Sequence, residues 1–378
     1  MMRAKNKEYS QWGERRQSRL LTRGLHLDIP LLLGIVLLSI VGLAILYSAS
    51  GQNDAIIARQ LTRLALAFTV MFIVAQIPPH HIQFWAPWAF GGGLILLAAV
   101  LLVGEEGKGA QRWLDLGFFR FQPSEVMKLA VPVMVAWYLA DNPVPPTLKN
   151  IVIVCLLIIV PVFLIAKQPD LGTSILIASS GVFVLLLSGI RWKHVAAFMA
   201  LIATCAPLLW FNLHAYQKTR VMTFLNPEND PLGAGYHIIQ SKIAIGSGGL
   251  YGKGWLNGTQ SHLEFLPERT TDFIFSVFSE EFGFIGIVCL LALYLFIVVR
   301  GLYIATQAQS TFARLLAGSL ILTFFVYTFV NIGMVSGLLP VVGLPLPLIS
   351  YGGTSMVTMM AGFGVLMSIH THRRLLSN

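Results

Sequence analysis

The chain has 378 residues, of which 56% are hydrophobic and only 11% charged, with a mean hydropathy of +0.72. Soluble domains carry roughly 25% charged residues, so a water-soluble globule is excluded and lipid is the main solvent. A net charge of +9 would suggest nucleic acid in a soluble protein, but here a basic amino terminus facing anionic lipid explains it, and no nucleic-acid partner is expected.

Residues 1–28 are polar and include Arg3, Lys5, Lys7, Arg15, Arg16, Arg19 and Arg23. The first apolar stretch comes too late for a cleavable signal, so this segment is expected to be retained. Lys and Arg beside membrane ends bias orientation inward, which makes it cytoplasmic. A spanning helix needs roughly 20 apolar residues. Such runs lie near 29–49, 58–77, 84–103, 123–140, 149–166, 172–190, 193–212, 272–299, 314–337 and 346–369. The predicted fold class is therefore an all-α polytopic membrane protein of about ten transmembrane helices, with residues 29–378 as a single membrane domain. Ten spans return the carboxyl terminus, with Arg373 and Arg374, to the cytoplasmic side, and Arg191, Lys193, Arg300 and Arg314 fall on inner turns. Cys155, Cys205 and Cys289 sit within apolar runs at no metal-ligand spacing, as small packing residues.

Two polar stretches face outward on this topology: 104–122, and the long loop 213–271 between helices 7 and 8. Loops above about 15 residues are usually functional or disordered, and Tyr236, Ile238, Trp255 and Phe265 favour an ordered one. The run from Gly246 to Gly254 is not a phosphate loop. Ser247 stands where the first glycine is needed, and Gly254 where a Ser or Thr must follow Lys253. Basic residues gather outward against the orientation bias, including Lys108, Arg112, Arg120, Lys128, Lys167, Arg220 and Lys242, as an anionic ligand would require.

Asp272 follows Thr270 and Thr271 and opens an apolar helix at the outer boundary. It could cap that helix, or act as a general base toward a hydroxyl. Glu280 and Glu281, eight and nine positions on, would lie about 12–14 Å deeper and off the Asp272 face, lining a polar cavity or forming a structural ion pair. Glu125 and Lys128 share a helix face behind Pro123 and can neutralise each other. Asp170 occupies a turn between two apolar runs, a capping position. His80 with His81, and His370 with His372, read as interfacial histidines.

The pieces KGAQRWLDLG (108–117), FQPSEVMKLA (121–130), QPDLGTS (168–174), YHIIQSKIAIGSGGLYGKGWLNGTQSHLEFLPERTTDFIFSVFSEEFG (236–283) and VNIGMVSGLLPVVGLPLPLISYGG (330–353) occur in order. Together they resemble the shape, elongation, division and sporulation (SEDS) family, and KGWLNGTQ resembles its elongation members rather than its division members. The resemblance implies ten helices with both termini inside, in the bacterial inner membrane. It implies peptidoglycan glycosyltransfer from lipid II, a disaccharide-peptide on undecaprenyl pyrophosphate. Asp272 falls on the family's essential carboxylate and becomes the expected base. Arg112, Glu125, Lys128, Asp170 and Arg220 match polar positions near an outward cavity and are expected to position substrate. Trp113, Gln240 and Glu268 are matched residues assigned with them to substrate binding. A divalent cation, Mg or Mn, is implied without any evident ligand set. The implied partner is a class B penicillin-binding protein transpeptidase within the rod-elongation complex. Two other readings remain at this point, a lipid II flippase and a non-catalytic scaffold.

Overall fold

The computed structural model describes residues 25–107, 110–115, 120–212, 218, 222–223, 234–259 and 268–372. The helices are α1 (Ile29–Ala49), α2 (Asp54–Gln76), α3 (Pro79–Val103), α4 (Pro123–Ala140), α5 (Leu148–Lys167), α6 (Leu171–Leu187), α7 (Trp192–Asn212), α8 (Ala234–Ser247), α9 (Ile274–Thr306), α10 (Thr311–Val335) and α11 (Thr354–Thr371). All but α8 correspond in order to the predicted apolar runs. Local chemistry sets several starts: Asp28, Asn53, Thr147, Asp170 and Ser310 each cap the next helix through a side-chain oxygen. Leu33, Ile40, Ile73, Val152, Phe163 and Leu295 are exposed on the helix flanks, as expected where lipid replaces water.

Two regions depart from the helical expectation. The segment 104–122, expected to face outward, holds a small antiparallel sheet, β1 (Glu105–Gly107), β2 (Ala110–Asp115) and β3 (Arg120–Phe121), in the order β1-β2-β3. It is too short and polar to span, and at a membrane edge its backbone groups pair with one another. The expected outward loop 213–271 contains α8, which packs against α9 and α10.

The last predicted run, 346–369, begins too early. Residues 336–353 form an irregular segment that is half-buried or buried apart from Leu338 and Gly343, and α11 starts only at Thr354. Pro340, Pro345 and Pro347 remove backbone donors there, and Gly337 and Gly343 adopt left-handed backbone (φ +72° and +73°), so no continuous helix can form.

Helix α9 is broken at Gly283 (φ +63°, ψ −164°), which frees backbone groups inside the bundle. The glycine run supplies their partners. Phe284 and Ile285 N–H donate to Gly249 and Leu250 O (2.9 and 3.1 Å), while Lys253 and Gly254 N–H donate to Glu280 and Glu281 O (3.0 Å each). A side chain on Gly283 or Gly252 would collide with the opposite backbone, so both glycines are required by close approach. The expected depth of the two acids is corrected as a result. Glu281 accepts a hydrogen bond from Ser48 in the last turn of α1, so the pair lies level with the carboxyl-terminal end of that helix, which the sequence reading places outward. Glu280 is fully buried and forms the structural ion pair: its Oε1 receives Lys253 Nζ (2.7 Å), Thr259 N–H and Thr259 Oγ1 (2.9 Å each).

At the opposite end of the bundle, Asp28 joins first and last helices to α9. Arg300 donates to its carboxylate at 2.6 and 3.0 Å, and His370 Nε2 lies 3.3 Å away. His26 stacks on His372 with ring centroids 3.8 Å apart, which brings the two described ends of the chain to one face. Burial by itself would raise the Asp28 carboxyl. The Arg300 hydrogen bond, the Leu31 N–H and the charges of Arg300 and His370 outweigh it, so Asp28 sits below the usual carboxylate range.

Gly283→Ala adds a strained backbone and a clash with the carbonyl of Leu250, and should lower stability by about 2 kcal/mol or more, read as a fall in melting temperature in detergent. Because the folded Asp28 carboxyl is depressed, its contribution is complete above the unfolded value of about 3.9 and is lost as pH falls through the depressed value. Asp28→Asn should therefore melt earlier than the parent at neutral pH, with the difference shrinking in thermal scans carried toward about pH 3.

Candidate functional site

Three motifs far apart in sequence converge on the sheet-bearing face. The sheet brings Arg112 over the turn before α6, where Nη2 donates to Pro169 O (2.9 Å) and Nε lies 3.8 Å from Asp170 Oδ2. Asp170 is the cap of α6, as expected. Oδ1 accepts the Thr173 N–H (3.2 Å), and Oδ2 accepts Thr173 Oγ1 (3.0 Å) and Gln122 Nε2 (3.4 Å). This one carboxylate thus ties β2 and the start of α4 to α6.

One turn into α4, Lys128 donates to Glu125 at 2.8 Å, both side chains being about nine-tenths buried. Lys128 also reaches Tyr327 OH of α10 (3.4 Å), which contacts Ser355 Oγ of α11 (2.9 Å). Glu125 Oε2 and the neighbouring Ser124 Oγ are buried with no hydrogen-bond partner among the described residues. An unmatched buried carboxylate oxygen is costly, so the site has acceptor capacity left for a ligand.

Glu125 faces a cavity of about 1310 Å³ between α2, α3, α4 and α11. Its walls are largely apolar, including Leu66, Ile82, Trp85, Ala89, Val126, Leu129, Val133 and Val357. The polar groups Arg63, Gln122 and Glu125 lie toward the sheet-bearing face, joined there by Trp113 and the Gly353–Thr354 start of α11. Ile77 and His81 mark the other end, so the groove extends across most of the bundle. Here His81, expected only as an interfacial residue, is also a wall residue.

Asp272 lies in the turn just before α9, half-buried, and does not cap the helix, whose cap residue Phe273 makes no side-chain cap bond. Asn331 Nδ2 donates to the Asp272 carbonyl at 3.0 Å. Asn331 is one helical turn beyond Tyr327, so Asp272 and the Lys128–Glu125 pair are organised about the same face of α10. Glu268 is exposed in the same turn and accepts Thr271 Oγ1 (2.8 Å). Gln240 is half-buried on α8, outside the groove lining. Arg220 lies outside the described residues.

Arg63 escaped the sequence reading. It stands nine residues into α2, about 14 Å along the helix, with its guanidinium 4.4 Å from the Tyr351 ring centroid. No carboxylate among the described residues pairs with it. A charge inside a spanning helix is a functional signal in its own right, and that signal was present in the sequence. Gln122, the link between the groove and Asp170, carried none.

Among the described residues no three His, Cys, Asp or Glu side chains gather as metal ligands. Glu125 and Asp170 are each engaged by a basic group, so these side chains do not form a divalent cation site of their own.

A family model described as "Cell cycle protein" (FtsW, RodA, SpoVE) matches residues 25–375. The chain is 58% identical to the peptidoglycan glycosyltransferase MrdB of Escherichia coli K12, over 93% of this chain and 95% of that one. It is 33% identical to the peptidoglycan glycosyltransferase RodA of Treponema pallidum, over 92% and 98%. Among solved structures it resembles a chain from a study of polymerisation and crosslinking by a peptidoglycan synthase complex (TM-score 0.81, 33% identity, 92% and 98% covered). It also resembles the rod shape determining protein RodA of Thermus thermophilus (TM-score 0.70, 29% identity, 91% and 96% covered). A match that runs from the start of α1 to beyond α11 and spans every motif of the site settles the family: the chain belongs to the FtsW, RodA and SpoVE family of multi-pass membrane proteins.

Proposed function

We propose that this chain is a peptidoglycan glycosyltransferase that polymerises lipid II into glycan strands for elongation of the cell wall, at the outer face of the bacterial inner membrane. The observation that carries the reading is the cavity itself: an apolar groove whose one polar end holds Arg63, Gln122 and Glu125, beside the turn that bears Asp272. That division of surface suits an amphiphile with a long isoprenoid chain and an anionic head. The apolar walls would take the chain, and Arg63, with Arg112 and Lys128 nearby, would hold the pyrophosphate.

In the reaction a sugar hydroxyl of one substrate attacks the anomeric carbon of another. The bond from that carbon to the pyrophosphate oxygen breaks, and negative charge develops on the leaving group. Arg63, Arg112 and Lys128 would stabilise that charge, an effect worth most in a site screened from water. Asp272 would accept the hydroxyl proton as the new bond forms. Glu125 keeps Lys128 charged at low cost, and its unmatched oxygen is available to a sugar hydroxyl or amide. Trp113 offers a ring face at the mouth. Asp170 holds Arg112 and Gln122 in place, while Glu268, Gln240 and Arg220 are proposed only as substrate-contacting residues of the same face. A divalent cation belongs in the assay, as the family resemblance implies.

The basic amino-terminal segment and inner-turn cations support an outward site. The relationship to a peptidoglycan synthase complex supports a class B penicillin-binding protein as partner. Extension of the groove to Ile77 and His81 also favours a second reading, a lipid II flippase. Against it stands the apolar character of that lower half, which offers a sugar-peptide head no polar path.

With the partner's transpeptidase disabled, and lipid II and Mg or Mn supplied, the parent should make glycan strands on a gel. Asp272→Asn should lower the rate by at least a hundredfold while keeping its melting temperature. A flippase would instead leave lipid II translocation intact in that variant and make no strands in the parent. Lys128→Met strands Glu125 and should cost about 3–5 kcal/mol of stability. Adding Glu125→Leu should restore most of that stability but leave polymerisation lost, as melting curves and the same assay would register.

A further inference from the structure

Three successive carbonyls in the turn that carries Asp272 are each held by a different donor. Tyr351 N–H donates to Thr270 O (2.8 Å), Ser350 Oγ to Thr271 O (2.6 Å) and Asn331 Nδ2 to Asp272 O (3.0 Å). The donors come from the outer end of α10 and from the irregular segment before α11, both distant in sequence from the turn. Asn331 is fully buried and Ser350 is 5% exposed. Each is used twice. Asn331 Nδ2 also donates to Leu344 O (2.6 Å), and Ser350 Oγ also accepts the Leu346 N–H (2.7 Å). Both side chains therefore join the Asp272 turn to the irregular segment. That segment also passes close to the carboxylate: a Cβ on Gly343 would stand 3.5 Å from Asp272 Oδ2.

Packing alone does not account for two buried polar side chains at these positions. A matched buried hydrogen bond contributes only about 1 kcal/mol, whereas an apolar residue of the same size would contribute its full transfer energy. What the polar groups add is direction, since each fixes one carbonyl of a short turn that has no helix of its own. We propose that Asn331 and Ser350 are positioning residues for glycosyl transfer, clamping the main chain at Asp272 so that its carboxylate meets the acceptor hydroxyl. The proposal rests on the reading of Asp272 as the base. Neither residue touches the reacting atoms. Their effect passes through geometry, and a displacement of about 1 Å can cost on the order of a hundredfold in rate.

The test uses the full chain with its transpeptidase partner and lipid II as the varied substrate. Asn331→Leu removes both donated bonds at similar volume, and Ser350→Ala removes one hydroxyl. Each should lower kcat by about ten- to a hundredfold and leave KM within about twofold, because the groove that binds the lipid is untouched. If Asn331→Leu does not fold, the Ser350→Ala variant decides. A parental kcat in Ser350→Ala, or a loss confined to KM, overturns the positioning role. Asp272→Asn alone separates the two ideas. Full activity in it removes the base reading and the clamp together, whereas an inactive Asp272→Asn beside a fully active Ser350→Ala removes the clamp only.

Discussion

A backbone group inside lipid has no water to turn to, and the architecture is organised around that constraint. Continuous helices meet it without help. Among the described residues the chain nonetheless leaves the helix within the bundle at Gly283 and along residues 336–353, and each time another segment supplies missing partners. At Gly283 the partner is the glycine run 248–254. In the irregular segment the partners are Asn331 of α10 and the carbonyls of the turn before α9. Both exceptions flank the same stretch of chain, residues 268–283, which carries Asp272 at one end and the Glu280–Glu281 pair at the other.

The electrostatics follow a matching rule. Four charges drawn into the described interior come with a charged counterpart: Asp28 with Arg300 and His370, Glu125 with Lys128, Asp170 with Arg112, Glu280 with Lys253. Such pairs add little net stability over apolar residues, but they impose orientation. The first pair fastens the carboxyl-terminal part of α9 to the first and last helices, and the last fastens its break to the glycine run. Of the two pairs between them, one sets Glu125 in the groove wall, and the other reaches the groove through Gln122, which also lines it.

The helices were legible because lipid imposes one simple requirement, about 20 apolar residues in a row, and the runs satisfied it. What the sequence concealed was non-local. Pro345 and Pro347 already argued against a helix beginning at 346, yet apolar content outweighed them in the reading. Gly283 looked like one glycine among many. Only its pairing with residues 249–254 reveals a break, and with it the correct level of Glu280 and Glu281. The candidate site was legible in part. Glu125 with Lys128 followed from helical spacing, and the capping role of Asp170 from turn chemistry, whereas the choice of Asp272 as a base came from family resemblance. Arg63 was missed because a lone cation was averaged away in a hydrophobic window, and Asn331 because a buried amide leaves no periodic trace.

The groove is walled by α2, α3, α4 and α11, and a lipid substrate of the proposed kind would enter it between helices, from the bilayer. A ligand that enters through such a doorway arrives by diffusion in two dimensions. Its encounter rate is then governed by the density of the carrier lipid in the leaflet, not by any concentration in solution. On the proposed function the spent carrier, sharing the same tail, would leave by the same route and compete with the next molecule for the wall of Leu66, Trp85 and Val357. Membrane composition and crowding around the groove would thereby become determinants of turnover, and a bulky neighbour docked over its lipid-facing side would throttle the reaction without touching a single reacting group.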